Sequence, residues 1–178
     1  MTLVLLQLGK TISGVAIGTA LALISCVWPA AADESEMALW RLDCGTIDIE
    51  DVSYFSDTFA FDGQSAVLSN GCYLIRHGDQ HFLWEAGLPT SYLGNKTRKD
   101  GWLSSLSVTL VDQLAQIDLT PSDISLLSVS HFHGDHIGQA AELTNATLLL
   151  SEAGANWIRD NQPDNARRRL SHWFEGDG

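Results

Sequence analysis

Short apolar runs separated by turn residues dominate the first half of the chain. ALWRLDCGTIDI, residues 38–49, has the β-rich character of an opening strand, and the polar, aromatic stretch DVSYFSDTFAFDGQSAVLSN predicts a long loop after it. Two further apolar runs, CYLI and HFLWEA, flank residues 77–80, where Gly-Asp is typical of a hairpin turn. A strand, a loop and a β-hairpin are therefore expected.

The apolar spacing changes after Gly101. In WLSSLSVTLVDQLAQIDL, residues 102–119, apolar positions recur at intervals of three and four, which predicts an amphipathic helix with one buried face. These positions are Leu103, Leu106, Leu110, Leu114 and Ile117. The turn-forming residues 120–123, Thr-Pro-Ser-Asp, end the predicted helix.

The following segments alternate between strand and helix. ISLLSVS (residues 124–130) and ATLLL (146–150) predict short buried strands at the centre of a sheet, and a helical piece is expected over 137–143. SEAGANWIRD predicts a further helix with Ser151 as its N-cap. This order of elements indicates an α/β chain.

Residues 1–32 are typical of an export signal. Lys10 precedes TISGVAIGTALALISCVWPAAA, an uncharged apolar run, and Ala30 and Ala32 occupy the A-x-A positions before the acidic DESE. We therefore expect cleavage after Ala32 and a domain over residues 33–178 that is exported, either to the periplasm or into the medium.

Two other interpretations of this segment stay open. The apolar run approaches the roughly 20 residues that a bilayer-spanning helix needs, which leaves an uncleaved membrane anchor as one alternative. LISC around Cys26 resembles a lipobox, so lipid attachment is another. Two glycines, Pro29 and the alanine cluster favour cleavage, after which no stable membrane span is expected.

The charge balance excludes one class of partner. The sequence has 10 Lys and Arg against 22 Asp and Glu, a formal net charge of −12. Nucleic-acid binding requires a basic patch, so we expect no nucleic-acid partner. The one basic cluster, Arg167-Arg168-Arg169, is interpreted as a solvated helix face.

Two cysteines, Cys44 and Cys72, stay with the exported domain. They could form a disulfide, because the compartment outside the cytoplasm is oxidising. Cys72 lies in a strand-like apolar run, where a buried free thiol is common, and this favours the unpaired state. No C-x-x-C pattern occurs, so neither cysteine is expected to bind a metal.

Three histidines and an aspartate stand close together directly after an apolar strand. His131, His133, Asp135 and His136 form H-x-H-x-D-H, and Gly134 allows a tight turn. Neutral imidazoles and a carboxylate suit zinc or another borderline divalent metal. On a loop that leaves a strand, the first two histidines can face one metal position and the last two residues a second, as in a two-metal site.

With this motif the chain resembles the metallo-β-lactamase-fold hydrolases, whose signature is H-x-H-x-D-H after a buried strand. Three segments make it similar to the N-acyl homoserine lactonase branch: WRLDCGTIDIEDVSYFSDTFAFDG, SNGCYLIRHGDQHFLWEAGLP and LAQIDLTPSDISLLSVSHFHGDHIGQAAELTNATLLLSE. They cover most of residues 39–152. The histidine motif is specific to the superfamily, whereas the opening segments favour a lactonase.

The resemblance implies an αββα sandwich with two zinc ions at the edge of its sheets. His131 and His133 would bind the first zinc, and Asp135 and His136 the second. A zinc-bound hydroxide would open the ring of a lactone, a small-molecule substrate, and Asp135 would pass a proton to the leaving ring oxygen. Hydrolysis of β-lactams or thioesters on the same fold is the alternative, and the resemblance assigns no substrate-binding residues and no oligomeric state.

The sequence departs from the family in two places. Where the family commonly has Asp-Thr-Gly after the second strand, this chain has Glu85-Ala86-Gly87, whose carboxylate is one methylene further out and is expected to alter the contacts with the metal loop. The family's later ligands, a further histidine for each metal and a carboxylate that bridges both, have no counterpart before FEGDG.

These departures leave enzymatic activity open. We expect the N-terminal half of the sandwich, incomplete at its carboxyl end, and an inactive truncated fragment is a further alternative to a hydrolase. His172 is a weak candidate for a missing ligand. His77 and His81 flank the hairpin turn and are expected to be exposed rather than bound to metal.

Export with cleavage after Ala32 predicts a mature chain that begins at Asp33. The mass of the protein recovered from the periplasm or medium of an expressing bacterium measures this. A membrane-bound chain that keeps residues 1–32 would favour the anchor instead. A membrane-bound chain that is released by Cys26→Ser would favour lipid attachment.

Overall fold

The computed structural model describes residues 36–99 and 101–175, which contain strands, three α-helices and several single 3-10 turns. The strands are β1 Met37–Ile49, β2 Ala66–His77, β3 Gln80–Trp84, β4 Lys96–Lys99, β5 Trp102–Ser105, β6 Leu126–Ser128 and β7 Thr147–Leu149. The helices are α1 Leu110–Ala115, α2 Glu152–Asn161 and α3 Asp164–Glu175.

All seven strands belong to one mixed sheet in the order β4-β5-β1-β2-β3-β6-β7. The strands β4, β5, β1, β2 and β3 pair antiparallel with their neighbours in this order, whereas β3 with β6 and β6 with β7 pair parallel. The predicted hairpin is confirmed, with His77 opposite Gln80 and Gly78 in the left-handed conformation at φ 58°. The predicted α/β class is also confirmed.

The core lies on one face of this sheet. Leu74, Leu83 and Leu127 stand side by side on β2, β3 and β6 and are fully buried. The helices contribute further buried residues, namely Leu110, Leu114, Ile158, Ala166 and Leu170. Burying each leucine stabilises the fold by about 1.5–3 kcal/mol.

The opposite face of the same strands is exposed within the described residues. Leu39 on β1, Trp84 on β3 and Leu149 on β7 keep 65%, 37% and 44% of their surface accessible. They follow from the two-residue period of a strand, which turns alternate side chains away from the core. One sheet with helices on one face is the arrangement expected for half of an αββα sandwich.

The predicted helix over residues 102–119 is confirmed only for Leu110–Ala115 and is wrong before and after that range. Trp102–Ser105 form β5, which pairs with both β1 and β4. The helix begins only after Thr109, whose hydroxyl oxygen accepts a hydrogen bond from the Asp112 backbone N–H at 3.0 Å. Serine and threonine compete with helical hydrogen bonding, so the leucine spacing in this segment is divided between a strand and a helix.

Three smaller expectations also differ from the structure. β2 begins at Ala66, inside the predicted loop, because residues 66–69 pair with the end of β1. The helical piece expected over 137–143 is a single 3-10 turn, Ala140–Glu142. β7 lies at the edge of the described sheet rather than at its centre. The helix with Ser151 as N-cap is confirmed, since its hydroxyl accepts from the Gly154 N–H at 3.1 Å.

Cys44 and Cys72 form a disulfide, so the prediction that favoured a free thiol is wrong. Both residues are fully buried. The register of β1 and β2 places Leu42 opposite Cys72, and a shift in that register just after Asp43 brings Cys44 close, with 5.8 Å between the two Cα atoms. This irregularity in β1 cannot be read from the sequence.

The predicted export signal, with Lys10, Cys26 and the cleavage site after Ala32, lies outside the described residues. Among the residues that the structure does describe, no helix combines the length and the apolar character that crossing a membrane requires.

Loss of the disulfide should lower the free energy of unfolding by about 3–4 kcal/mol, because the bond closes a loop between residues 28 positions apart. Urea unfolding of a Cys44→Ala/Cys72→Ala variant measures this. Wild-type protein in reducing agent is the matched control and should unfold at the same urea concentration as the variant. Equal midpoints for the variant and the oxidised wild type would contradict a stabilising role.

Candidate metal centre

The four predicted metal ligands lie on the loop that follows β6. His131 and His133 are exposed, and Asp135 and His136 are partly buried. The loop begins where β6 ends, and the Glu85 backbone N–H donates to the Ser128 carbonyl at 2.8 Å. This hydrogen bond joins the carboxyl ends of the neighbouring strands β3 and β6.

The structure brings the three imidazole rings of the loop together. The ring centroids of His131 and His136 are 4.0 Å apart, and those of His131 and His133 are 4.5 Å apart. A carboxylate oxygen of Asp135 lies 3.3 Å from His136 Nε2. Within residues 36–99 and 101–175, however, no three such side chains converge on a single point in the geometry of an ion site.

The donor chemistry of this loop fits a borderline divalent metal. Three imidazoles and one carboxylate are the side chains that zinc binds in catalytic sites. Two of the four face each other as an ion pair, Asp135 with His136, so a metal would have to take the place of that contact.

His136 stands between two carboxylates. Its Nε2 faces Asp135, and its Nδ1 lies 3.0 Å from Glu85 Oε2. Hydrogen bonds to Asp135 and then to Glu85 raise the pKa of His136 to about 9, because both favour the protonated ring. Burial and the neighbouring rings of His136 and His133 instead lower the pKa of His131.

Glu85 is a supporting residue that the motif itself does not reveal. It is buried and lies in the left-handed region at φ 70°. Its carboxylate accepts from the Ser130 N–H at 3.1 Å and pairs with the ring of His136. Burial alone would raise the pKa of Glu85, but the hydrogen bonds to His136 and Ser130 outweigh it and lower the pKa.

The contacts of Glu85 show how this position departs from the family. Its carboxylate contacts Ser130 at the start of the histidine loop and His136 at its end. The signal for this role was the position of the carboxylate directly after the second strand of the hairpin, which the sequence does show.

Backbone contacts hold the far end of the loop against residues 85–89. The Ala86 N–H donates to the His136 carbonyl at 2.8 Å, and the Gly138 N–H donates to the Gly87 carbonyl at 2.7 Å. A Cβ atom at Gly138 would meet the backbone of residues 87–89 more closely than real Cβ atoms come to any neighbour. Only glycine can occupy position 138 in this packing.

Side chains from distant parts of the chain fix the loop further. The Asn70 amide donates to the Asp135 carbonyl at 3.2 Å, and the Asn165 amide donates to the Phe132 carbonyl at 2.8 Å. Buried Gln139 accepts from the Leu110 N–H at 2.8 Å and donates to the Leu88 carbonyl at 3.0 Å. Sequence reasoning missed Asn70, Asn165 and Gln139, because their partners are far away along the chain.

A cavity of about 640 Å³ opens beside the loop. Gly134 and Asp135 form part of its wall. Aromatic side chains, Tyr54, Tyr92 and Trp102, and cationic side chains, Lys99, Arg168 and Arg169, are also among the lining residues. The volume lies in the range of small-molecule sites, and the lining carries more charged groups than such sites usually have.

The other histidines lie away from this loop. His172 is on α3 beside Trp173, where it lines a separate surface cavity. His77 and His81 stand at the hairpin between β2 and β3, His77 exposed and His81 partly buried. None of the contacts described for these residues places them with His131.

Residues 67–161 match the metallo-beta-lactamase superfamily. The chain belongs to this superfamily. The superfamily implies a metal cofactor, and the histidine loop lies within the matched region.

Two curated relatives carry the same name. The chain is 25% identical over 128 residues to the N-acyl homoserine lactonase AiiB of Rhizobium rhizogenes, covering 64% of this chain and 46% of that protein. It is 24% identical to AiiB of Agrobacterium fabrum, with the same coverage. The chain thus spans about half the length of the curated relatives it matches.

Solved structures of lactonases share the fold. A quorum-quenching N-acyl homoserine lactone hydrolase superposes with a TM-score of 0.59 at 21% identity, over 70% of this chain and 49% of that one. AidC, a dizinc quorum-quenching lactonase, gives 0.52 at 16% identity, over 77% of this chain and 53% of that one. These superpositions confirm the metallo-β-lactamase fold over part of its length.

Substitution of Gly138 by alanine should disrupt the loop, because the added methyl group meets backbone that cannot move aside. We expect the Gly138→Ala variant to lose several kcal/mol of stability or to fail to fold. Gly134→Ala is the matched control in the same loop, since nothing lies within 4 Å of a Cβ at that position. Thermal unfolding measures both, and similar midpoints for the two variants would contradict the packing described here.

Proposed function

We propose that the chain is a zinc-dependent hydrolase that opens the lactone ring of N-acyl homoserine lactones or related cyclic esters. The observation that carries the proposal is the H-x-H-x-D-H loop, whose three rings cluster beside a cavity of about 640 Å³. The names of the curated relatives support the substrate class.

In this proposal His131 and His133 hold one zinc ion, and Asp135 and His136 hold a second. When bound, zinc makes a water nucleophile available near neutral pH and polarises a carbonyl group. Glu85 orients the ring of His136 through Nδ1, a supporting role that carboxylates commonly have behind ligating histidines.

Asp135 is the proposed proton carrier. Burial would raise its pKa, but hydrogen bonding to His136 outweighs this and lowers the pKa, so the carboxylate is ionised at neutral pH. It can therefore accept the proton that water releases and transfer it to the ring oxygen that leaves. Asp135 also lines the cavity, where it can reach a bound ester.

We also propose that the domain functions outside the cytoplasm. The support is the signal-like segment over residues 1–32 and the buried disulfide between Cys44 and Cys72, a bond that is stable in oxidising compartments. The mass of the mature chain tests this part of the proposal.

The decisive experiment measures zinc content and ring opening on the same purified full chain. After zinc loading and gel filtration, we expect two zinc ions per chain and release of acid from N-hexanoyl-L-homoserine lactone, with slower or no hydrolysis of a β-lactam and a thioester. His131→Ala should lose at least one zinc ion and about 100-fold or more of the activity. His172→Ala is the matched control and should change neither.

Three results would each count against the proposal. They are a chain without bound zinc, an activity that is equal in the His131→Ala variant and the wild type, and faster hydrolysis of the β-lactam or thioester than of the lactone. The last result would leave the fold assignment intact and transfer the activity to another branch of the superfamily.

A further inference from the structure

One wall of the cavity beside the histidine loop is basic. Lys99 on β4 and Arg168 and Arg169 on α3 all line it. The chain as a whole has a formal net charge of −12, so three cations around one cavity run against the overall balance. Arg168 and Arg169 belong to the cluster that the sequence had indicated to be a solvated helix face.

These cations have no carboxylate partner among the described residues, unlike their immediate neighbours. Arg98 pairs with Glu50, and Arg167 pairs with Asp164 at 3.5 Å. For Arg169 the described contact is a hydrogen bond from its guanidinium to the Asn165 carbonyl at 3.3 Å. The basic wall therefore keeps its charge available to the cavity.

The two acidic residues of the cavity do not neutralise this wall. Asp135 is engaged with His136, and Asp164 is engaged with Arg167. Arg169 is also partly buried. Its burial, and to a smaller extent repulsion from Arg168, lowers its pKa. Two neighbouring guanidinium groups repel each other, and an anion that lies between them relieves this repulsion.

We infer that the cavity binds a small molecule that carries a carboxylate, with the carboxylate against Arg168, Arg169 and Lys99. The apolar part of the ligand would lie against the aromatic side chains of Tyr54 and Trp102. The inference rests on the proposed function in one respect, since it takes this cavity to be the substrate site. It makes the ring-opened acyl homoserine, which has a carboxylate, a better ligand than the neutral lactone.

Binding of two matched probes tests the inference directly. N-hexanoyl-L-homoserine and N-hexanoyl-L-homoserine lactone share an acyl chain and differ in the carboxylate. Calorimetry on the full chain with EDTA, at low salt and pH 6, prevents a metal from binding the carboxylate or opening the lactone. We expect the carboxylate probe to bind about tenfold or more tightly than the lactone.

The arginine variants identify the wall as the cause. Arg168→Gln/Arg169→Gln should reduce binding of the carboxylate probe to the level of the lactone. Arg41→Gln is the matched control, because the described contact of Arg41 is a hydrogen bond to Ser69 rather than an ion pair, and Arg41 does not line the cavity. It should retain the preference, and equal unfolding midpoints for all three proteins show that folding is not the variable.

Equal affinity for the two probes would overturn the inference, as would a preference that survives in the Arg168→Gln/Arg169→Gln variant. The result is separable from the proposed function. Zinc content and ring opening can fail while the carboxylate preference is present, and they can succeed while it is absent.

Discussion

Gly138 lies so close to the backbone of residues 87–89 that no side chain fits between the two segments. This approach holds the loop of predicted ligands against the segment that follows β3. On the other side of the same segment, Gly87 packs against Cys44, and the Leu88 N–H donates to the Cys44 carbonyl at 3.0 Å. The strand pair β1–β2, its disulfide and the histidine loop are therefore linked through a few residues.

The histidine loop could be identified as a candidate metal site from the sequence because its chemistry is local. His131, His133, Asp135 and His136 lie within one short motif, and the structure brings their side chains into mutual contact. The residues that support the loop could not be found in this way. Asn70 contacts a residue 65 positions away, and only the folded sheet makes them neighbours.

The errors in the predicted elements have a common physical origin. Leu103 and Leu106 match a helical period, yet pairing with β1 makes the segment Trp102–Ser105 a strand. Cys44 meets Cys72 only because β1 is irregular after Asp43. Pairing between strands distant along the chain overrides local spacing, so these features needed three-dimensional information. The hairpin and the capped helix α2 depend on neighbouring residues, and the sequence predicted both correctly.

The backbone conformation of Glu85 favours glycine, whereas its contacts require a carboxylate side chain. Its backbone adopts a left-handed conformation that glycine takes without strain, and for a residue with a side chain this conformation costs about 1–2 kcal/mol. Its carboxylate, however, holds both Ser130 and His136.

Asp118 and Gln162 share the unusual backbone conformation but make no contact with the loop among those described. A thermostabilisation programme that introduces glycine at left-handed positions can therefore use residues 118 and 162, and it should leave position 85 unchanged.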